Sequence, residues 1–288
     1  MKNVFLFVSV LAFHVFGFAL QAIQPAQLNY YGSDFSTSVA TSRDNQLKDA
    51  LKKILRSQHL KVINGPDQIM KNCDGQKDCY AQTSLGYDGA RTFLFGKFYL
   101  VKLDASNYGI TEMYCNRIYQ ASDFKGVDLP GPGITPASSV INTEHTWPQS
   151  RFSGDYSTQM QKADLHHLFP TDSQMNSTRG NTIFGEVSHD VGHTNCTASR
   201  YGTGSAGSRQ IFEPADDHKG RVARAIFYFS IRYDMAISQE EEVVLKKWHI
   251  QHPVDPQEAL RNDEIFRQQN NRNPFIDYPE LAQKISDF

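Results

Sequence analysis

Between residues 142 and 181 this chain gathers polar and ionisable groups that a hydrophobic core rejects, and their spacing constrains the backbone. The run Asn142-Thr143-Glu144-His145-Thr146-Trp147-Pro148 sets a carboxylate beside an imidazole and closes with proline. Asp164-Leu165-His166-His167-Leu168-Phe169-Pro170 reads as a second short strand-like piece, also closed by proline. Thr171-Asp172-Ser173 then offers helix caps, with Asn176 and Arg179 following at i and i+3 on one helical face. The outline is strand, loop, strand, helix, and its polar side chains converge if the helix packs across the hairpin. Adjacent strand residues point to opposite faces. Glu144 and His145 can therefore share a site only where the strand bends or ends, which Pro148 allows.

The remaining sequence supplies a body for this segment. The chain has 288 residues, 40% of them hydrophobic, enough for a packed core of about two lobes, and no repeat is visible. Its net charge of −2 calls for no anionic partner overall, so any nucleic-acid site must be a local basic patch. Lys2 followed by the apolar run Val4 to Leu20 and small residues at Ala19 and Ala22 reads as a signal peptide over residues 1–22. Residues 23–288 are then an exported domain with no membrane segment. The even set Cys73, Cys79, Cys115 and Cys196 favours disulfides there, with three connectivities open. Cys73 and Cys79 flank an Asp74-Gly75 turn and form the natural local pair, in which case Cys115 and Cys196 tie distant segments.

Secondary-structure signals give an α+β class. Leu47, Leu51, Ile54 and Leu55 fall on one helical face. Thr92 to Leu103 and Tyr108 to Tyr119, separated by Asp104-Ala105-Ser106-Asn107, read as a hairpin. Loops are expected at Gly126 to Pro136 and Gly202 to Ser208. Val222, Ile226, Phe229 and Tyr233 share a helical face, Ser238 with Glu241 makes a capping box, and Asp255-Pro256-Gln257-Glu258 starts another helix. The C-terminal third is helical.

Phosphodiester hydrolysis needs a base for water, a hard cation and positive charge for the transition state. Mg²⁺ prefers oxygen ligands and keeps several waters, so Glu144 with Asn176 is sufficient protein ligation, and Mn²⁺ or Ca²⁺ are candidate substitutes. His145 can serve as the base. With these blocks in view, the sequence resembles the bacterial endonuclease I family of periplasmic and secreted nucleases, of the ββα-metal (His-Me finger) type. Glu144 to Pro148, Asp164 to Pro170 and Asn176 to Asn181 carry the resemblance. Lys219 to Arg224 and Asn271 to Phe275 extend it from roughly residue 40 onward.

The resemblance implies a ββα motif, about 140–185, between a mixed N-terminal region and a helical C-terminal region. It implies His145 as general base, Glu144 and Asn176 as metal ligands, and 5′-phosphate products from DNA, with RNA also open. Arg151 in the inter-strand loop and Arg179 on the helix both stand as candidates for transition-state charge. The family's disulfide-rich members have more cysteines than this chain, so no bridge pattern carries over. The expected protein is a periplasmic or secreted monomer acting without sequence preference. A non-catalytic DNA-binding module on the same fold is the alternative.

Other polar residues divide by role. Lys219, Arg221 and Arg224 are candidates for phosphate contacts. Asp164 and His166 read as structural, with His166 and His167 alternating across a strand. His189 and His193 would suit zinc on a helix, which Asp190 and Gly192 oppose. Trp147 and Trp248 read as core residues.

Overall fold

The computed structural model describes residues 29–126, 128–152, 156–192, 195–205, 207 and 209–288. The expected signal peptide and His193 lie outside them. Helix α1 (Asp44–Arg56) buries Leu47, Leu51, Ile54 and Leu55, the stripe its spacing predicts. Strands β1 (Gln58–Val62), β2 (Gly65–Met70) and β3 (Cys79–Tyr80) form an antiparallel sheet in the order β2-β1-β3. The disulfides pair Cys73 with Cys79 and Cys115 with Cys196.

The hairpin expected from Thr92 is only partly strand. Helix α2 (Gly86–Phe93) and a wide helical turn over Leu94–Phe98 take its first half. They bury Phe93, Leu94 and Phe95, so packing overrides the β-propensity of an aromatic run. Strands β4 (Leu100–Lys102), β5 (Tyr108–Thr111) and β6 (Ile118–Gln120) follow as an antiparallel meander.

Strand β7 (Ile141–His145) pairs antiparallel with β8 (Leu168–Asp172), with Glu144 opposite Phe169 and His145 opposite Leu168. The connection carries the short helix α3 (Thr158–Ala163), and α4 (Ser173–Arg179) follows β8 directly. Asp172 caps α4 by accepting from the Met175 amide at 2.8 Å. Pro170 lies within β8 instead of ending it, opposite Thr143. His166 and His167 belong to a tight helical turn over Leu165–His167, because the Asp164 carboxylate accepts from the His166 amide and curls the chain before the strand begins. They do not alternate across a strand.

Strands β9 (His189–Asp190), β10 (Arg200–Thr203) and β11 (Gln210–Glu213) make a fourth antiparallel sheet, so the loop expected from Gly202 starts one residue past Thr203. Helix α5 (Asp216–Tyr233) is buried nearly all round, as a central helix must be. A Cβ at Gly220 would sit 2.2 Å from the His252 carbonyl oxygen, so glycine permits this contact with the segment that follows α6 (Gln239–Gln251). Helix α7 (Pro256–Gln269) is capped by Asp255, and α8 (Pro274–Asp277) by Asn273.

Two core clusters flank the ββα unit. Trp147 and Met175 pack into one with α1, α5 and Trp248, while Ile141, Leu168 and Phe169 join the other with Phe95, Ile110 and Ile265. The polar end of β7 is therefore held from both sides. No helix among the described residues is long and apolar enough to cross a membrane.

Candidate active site

A groove of about 500 Å³ opens at the end of β7. Its lining includes Glu144, His145, Gln149, Asn176, Arg179 and Asn181. Both Glu144 and His145 reach it because the strand stops at His145, where the Arg179 guanidinium gathers the turning backbone. Its Nη1 donates to the His145 carbonyl at 3.1 Å and its Nη2 to the Thr146 carbonyl at 2.7 Å. The last residue of α4 thus fixes the last residue of β7.

Arg179 also pairs with Glu144. Nη1 lies 2.9 Å from Oε1, and the side chains are 1% and 2% exposed. Burial raises the Glu144 pKa, opposed by the Arg179 charge and the neighbouring Tyr114 hydroxyl. Oε1 nevertheless accepts no aligned hydrogen bond. Asn176 sits across the groove with both of its side-chain bonds made through Nδ2, to Asn142 Oδ1 at 2.7 Å and the Thr143 carbonyl at 3.3 Å. Its Oδ1 carries no bond to a described residue. One carboxylate and one free amide oxygen suit a hard divalent cation that keeps its remaining waters.

His145 is oriented through both ring nitrogens. Nε2 lies 3.1 Å from the Lys162 carbonyl, which can only accept, so this nitrogen carries the proton. Nδ1 then accepts from Gln149 Nε2 at 3.3 Å. Burial lowers the His145 pKa to about 3, aided by His167, Lys162 and Arg179, so the ring is neutral with its lone pair on Nδ1.

The other expected residues separate. Arg151 is not part of the groove lining; it donates to the carbonyl of the lining residue Asn181 at 2.6 Å and pairs with Glu241 at 3.4 Å. Asp164 accepts from the hydroxyls of Tyr228 and Tyr233 at 2.8 Å each and from Gln269 at 2.8 Å. His166 bonds the Asn271 carbonyl at 3.3 Å and packs on Tyr228. Both are buried within these bonds and lie outside the groove lining.

The three expected phosphate contacts are engaged elsewhere. Lys219 holds Glu213 and Asp216 at 2.6 Å each, and Arg221 holds Asp255 at 2.7 Å. Arg224 is 1% exposed and grips Glu258 through Nε and Nη2 at 2.7 and 2.6 Å. The expectation that Lys219, Arg221 and Arg224 reach a phosphate groove fails because each has acidic partners that take up its charge. Among the described residues, no group of three or more His, Cys, Asp or Glu could hold a metal, which leaves the zinc reading without a cluster there.

Sequence reasoning missed Asn142 and Gln149. Asn142 lies two residues before Glu144, so strand alternation placed it on the same face. Gln149 had no signal beyond its place after Pro148.

The sequence model of the Endonuclease I family matches residues 43–280. The chain belongs to the endonuclease I family. An extracellular ribonuclease of Bacillus subtilis is 38% identical over 163 residues, covering 50% of this chain and 53% of its own. An extracellular deoxyribonuclease of Aeromonas hydrophila is 30% identical over 120 residues, 40% of this chain and 49% of its own. An endonuclease-1 of Buchnera aphidicola is 28% identical over 125 residues, 42% and 49% of the two chains. The chain spans about half the length of the curated relatives it matches. Membership accords with the mixed helix and sheet fold and with the helical C-terminal region of this endonuclease I chain.

Proposed function

We propose that this chain is an exported, Mg²⁺-dependent endonuclease that acts as a monomer on DNA or RNA without sequence preference and leaves 5′-phosphate ends. One observation carries the reading. Glu144, His145 and Asn176 share a groove in which the histidine lone pair, the carboxylate and an unbonded amide oxygen come together.

His145 takes the proton of an attacking water at Nδ1 while the Lys162 carbonyl holds Nε2–H and keeps the tautomer. An anionic phosphate in the groove favours the imidazolium and strengthens the base as the proton arrives. Glu144 and Asn176 would hold Mg²⁺, with Mn²⁺ or Ca²⁺ as substitutes, and the bound ion supplies positive charge to the phosphate and the departing O3′. Arg179 offsets the buried Glu144 charge and fixes the strand end, and its donors to His145 and Thr146 are already engaged. That makes it a positioning residue.

External water as nucleophile needs no 2′-hydroxyl, so the groove has no chemical reason to choose between DNA and RNA. The relatives are named for both, a ribonuclease and deoxyribonucleases. Export accords with two disulfides and with relatives named extracellular or periplasmic. The test is digestion of supercoiled plasmid and of an RNA transcript with Mg²⁺ and with EDTA. Cleavage of either that stops with chelator and leaves 5′-phosphate termini is expected. Binding without cleavage under every metal tried would make the chain a binding module instead.

A further inference from the structure

With Arg151, Arg179, Lys219, Arg221 and Arg224 all engaged by acidic groups or carbonyls, a polyanion must find its positive charge elsewhere. Lys162 forms no ion pair with any described residue, and its ammonium lies 4.4 Å from the centre of the Tyr87 ring. The Arg91 guanidinium lies 5.7 Å from the same ring. Its acidic partner is Asp88, at 3.9 Å, a long contact to a side chain 96% exposed. Water and salt screen such a pair, so Arg91 keeps most of its charge.

This cluster is attached to the catalytic histidine. The Tyr87 ring is 5.5 Å from the His145 ring, and the Lys162 carbonyl holds His145 Nε2. Helices α2 and α3 pack together to set the two cations around one aromatic ring. A ring gathers cations through its quadrupole and limits their motion without neutralising them. An ion pair would have neutralised them.

We propose that Lys162 and Arg91, gathered on Tyr87, form a subsite for a backbone phosphate flanking the one cleaved. The ligand class is a polynucleotide strand extending at least one nucleotide beyond the scissile bond on that side. The proposal rests on the nuclease reading and adds to it a direction along which the substrate strand runs.

The test is binding of a fluorescent single-stranded oligonucleotide to the full chain in EDTA, measured by anisotropy across a salt series. Each single-strand phosphate contact contributes about 0.7 to the slope of log affinity against log salt. Lys162→Met and Arg91→Met, each first shown to melt like the native protein, should each lower the slope by about that amount. Tyr87→Phe should bind as the native protein does, while Tyr87→Leu should weaken binding. Arg209→Met removes an exposed cation that pairs with Glu240 and takes no part in the Tyr87 cluster, and it should leave the slope unchanged. A native slope in either folded Lys162 or Arg91 variant overturns the subsite alone. Failure of the native protein to bind any oligonucleotide overturns the nuclease reading, and the subsite with it.

Discussion

Asn142 holds Asn176 by its nitrogen: the 2.7 Å bond from Asn176 Nδ2 to Asn142 Oδ1 fixes the amide so that its oxygen is the atom left for a ligand. Groups that orient a metal's own ligands typically change affinity or activity by about 10- to 100-fold when removed. Asn142→Ala should therefore raise the Mg²⁺ concentration needed for half-maximal cleavage by about that factor and leave the melting temperature little changed. An unaltered metal titration would show that Asn176 needs no such support.

His145→Ala should lower kcat by about 10²- to 10⁴-fold, the usual contribution of a general base. Oligonucleotide affinity in EDTA should be nearly unchanged, because backbone charge contacts supply it. Single-turnover kinetics and anisotropy measured on one preparation separate the two effects. Near-native turnover would take His145 out of the reaction.

Arg224→Met should fail as a folding variant, not as a binding variant. Removing the guanidinium leaves Glu258, 3% exposed, without its bidentate partner. Breaking a buried pair from one side costs about 3–5 kcal/mol. Denaturant titration should show the loss, while the salt slope of oligonucleotide binding stays native. A lowered slope at native stability would restore Arg224 to the phosphate contacts.

Acid should destabilise the protein through its buried histidines. Burial lowers the pKa of His166, His167 and His249 to about 4 and that of His218 well below its ordinary value. Unfolded histidines titrate near about 6.5. Below that pH the unfolded chain binds more protons than the folded one, so stability falls as pH drops from about 6.5 toward 4. It is independent of these groups above that window. Each contributes a slope of up to about 1.4 kcal/mol per pH unit. His218 makes no hydrogen bond through either ring nitrogen, so His218→Leu should flatten the slope by about one proton. An unchanged slope in that variant would exclude it from the effect.

Reduction should weaken the protein mainly through one bridge. Cys115–Cys196 spans 81 positions and Cys73–Cys79 only 6. In the chain-entropy model the longer link is worth about 4–5 kcal/mol and the shorter about 2. Cys115→Ser with Cys196→Ser should accordingly lower the melting temperature more than the Cys73, Cys79 double replacement. The reverse order would place the stabilisation in native contacts near Cys73.

What could be read from the sequence followed the distance between the residues involved. Glu144 and His145 are neighbours and Asn176 shares a short motif with Arg179, so these residues of the groove lining could be named directly. The helical C-terminal third was equally legible, because the Ser238 and Asp255 caps and the 222–233 stripe are local signals. The cations were misread because Arg221 and Arg224 each find their acid 34 residues away, in a segment placed only by packing. Thr92–Phe98 was misread because aromatic residues suit a strand or a buried helix equally, and burial decided.

The Asp164 anchor bears on how such a chain is made. Tyr228, Tyr233 and Gln269 bind its carboxylate, so the loop that carries Lys162 to His145 is secured by residues synthesised long after the β7–β8 hairpin. On the ribosome, Glu144 and His145 emerge first and wait more than a hundred residues for Gln269. A partly made chain carries these two side chains without the frame that aims them, and the cell that makes it meets the finished groove only once the C-terminal helices are in place.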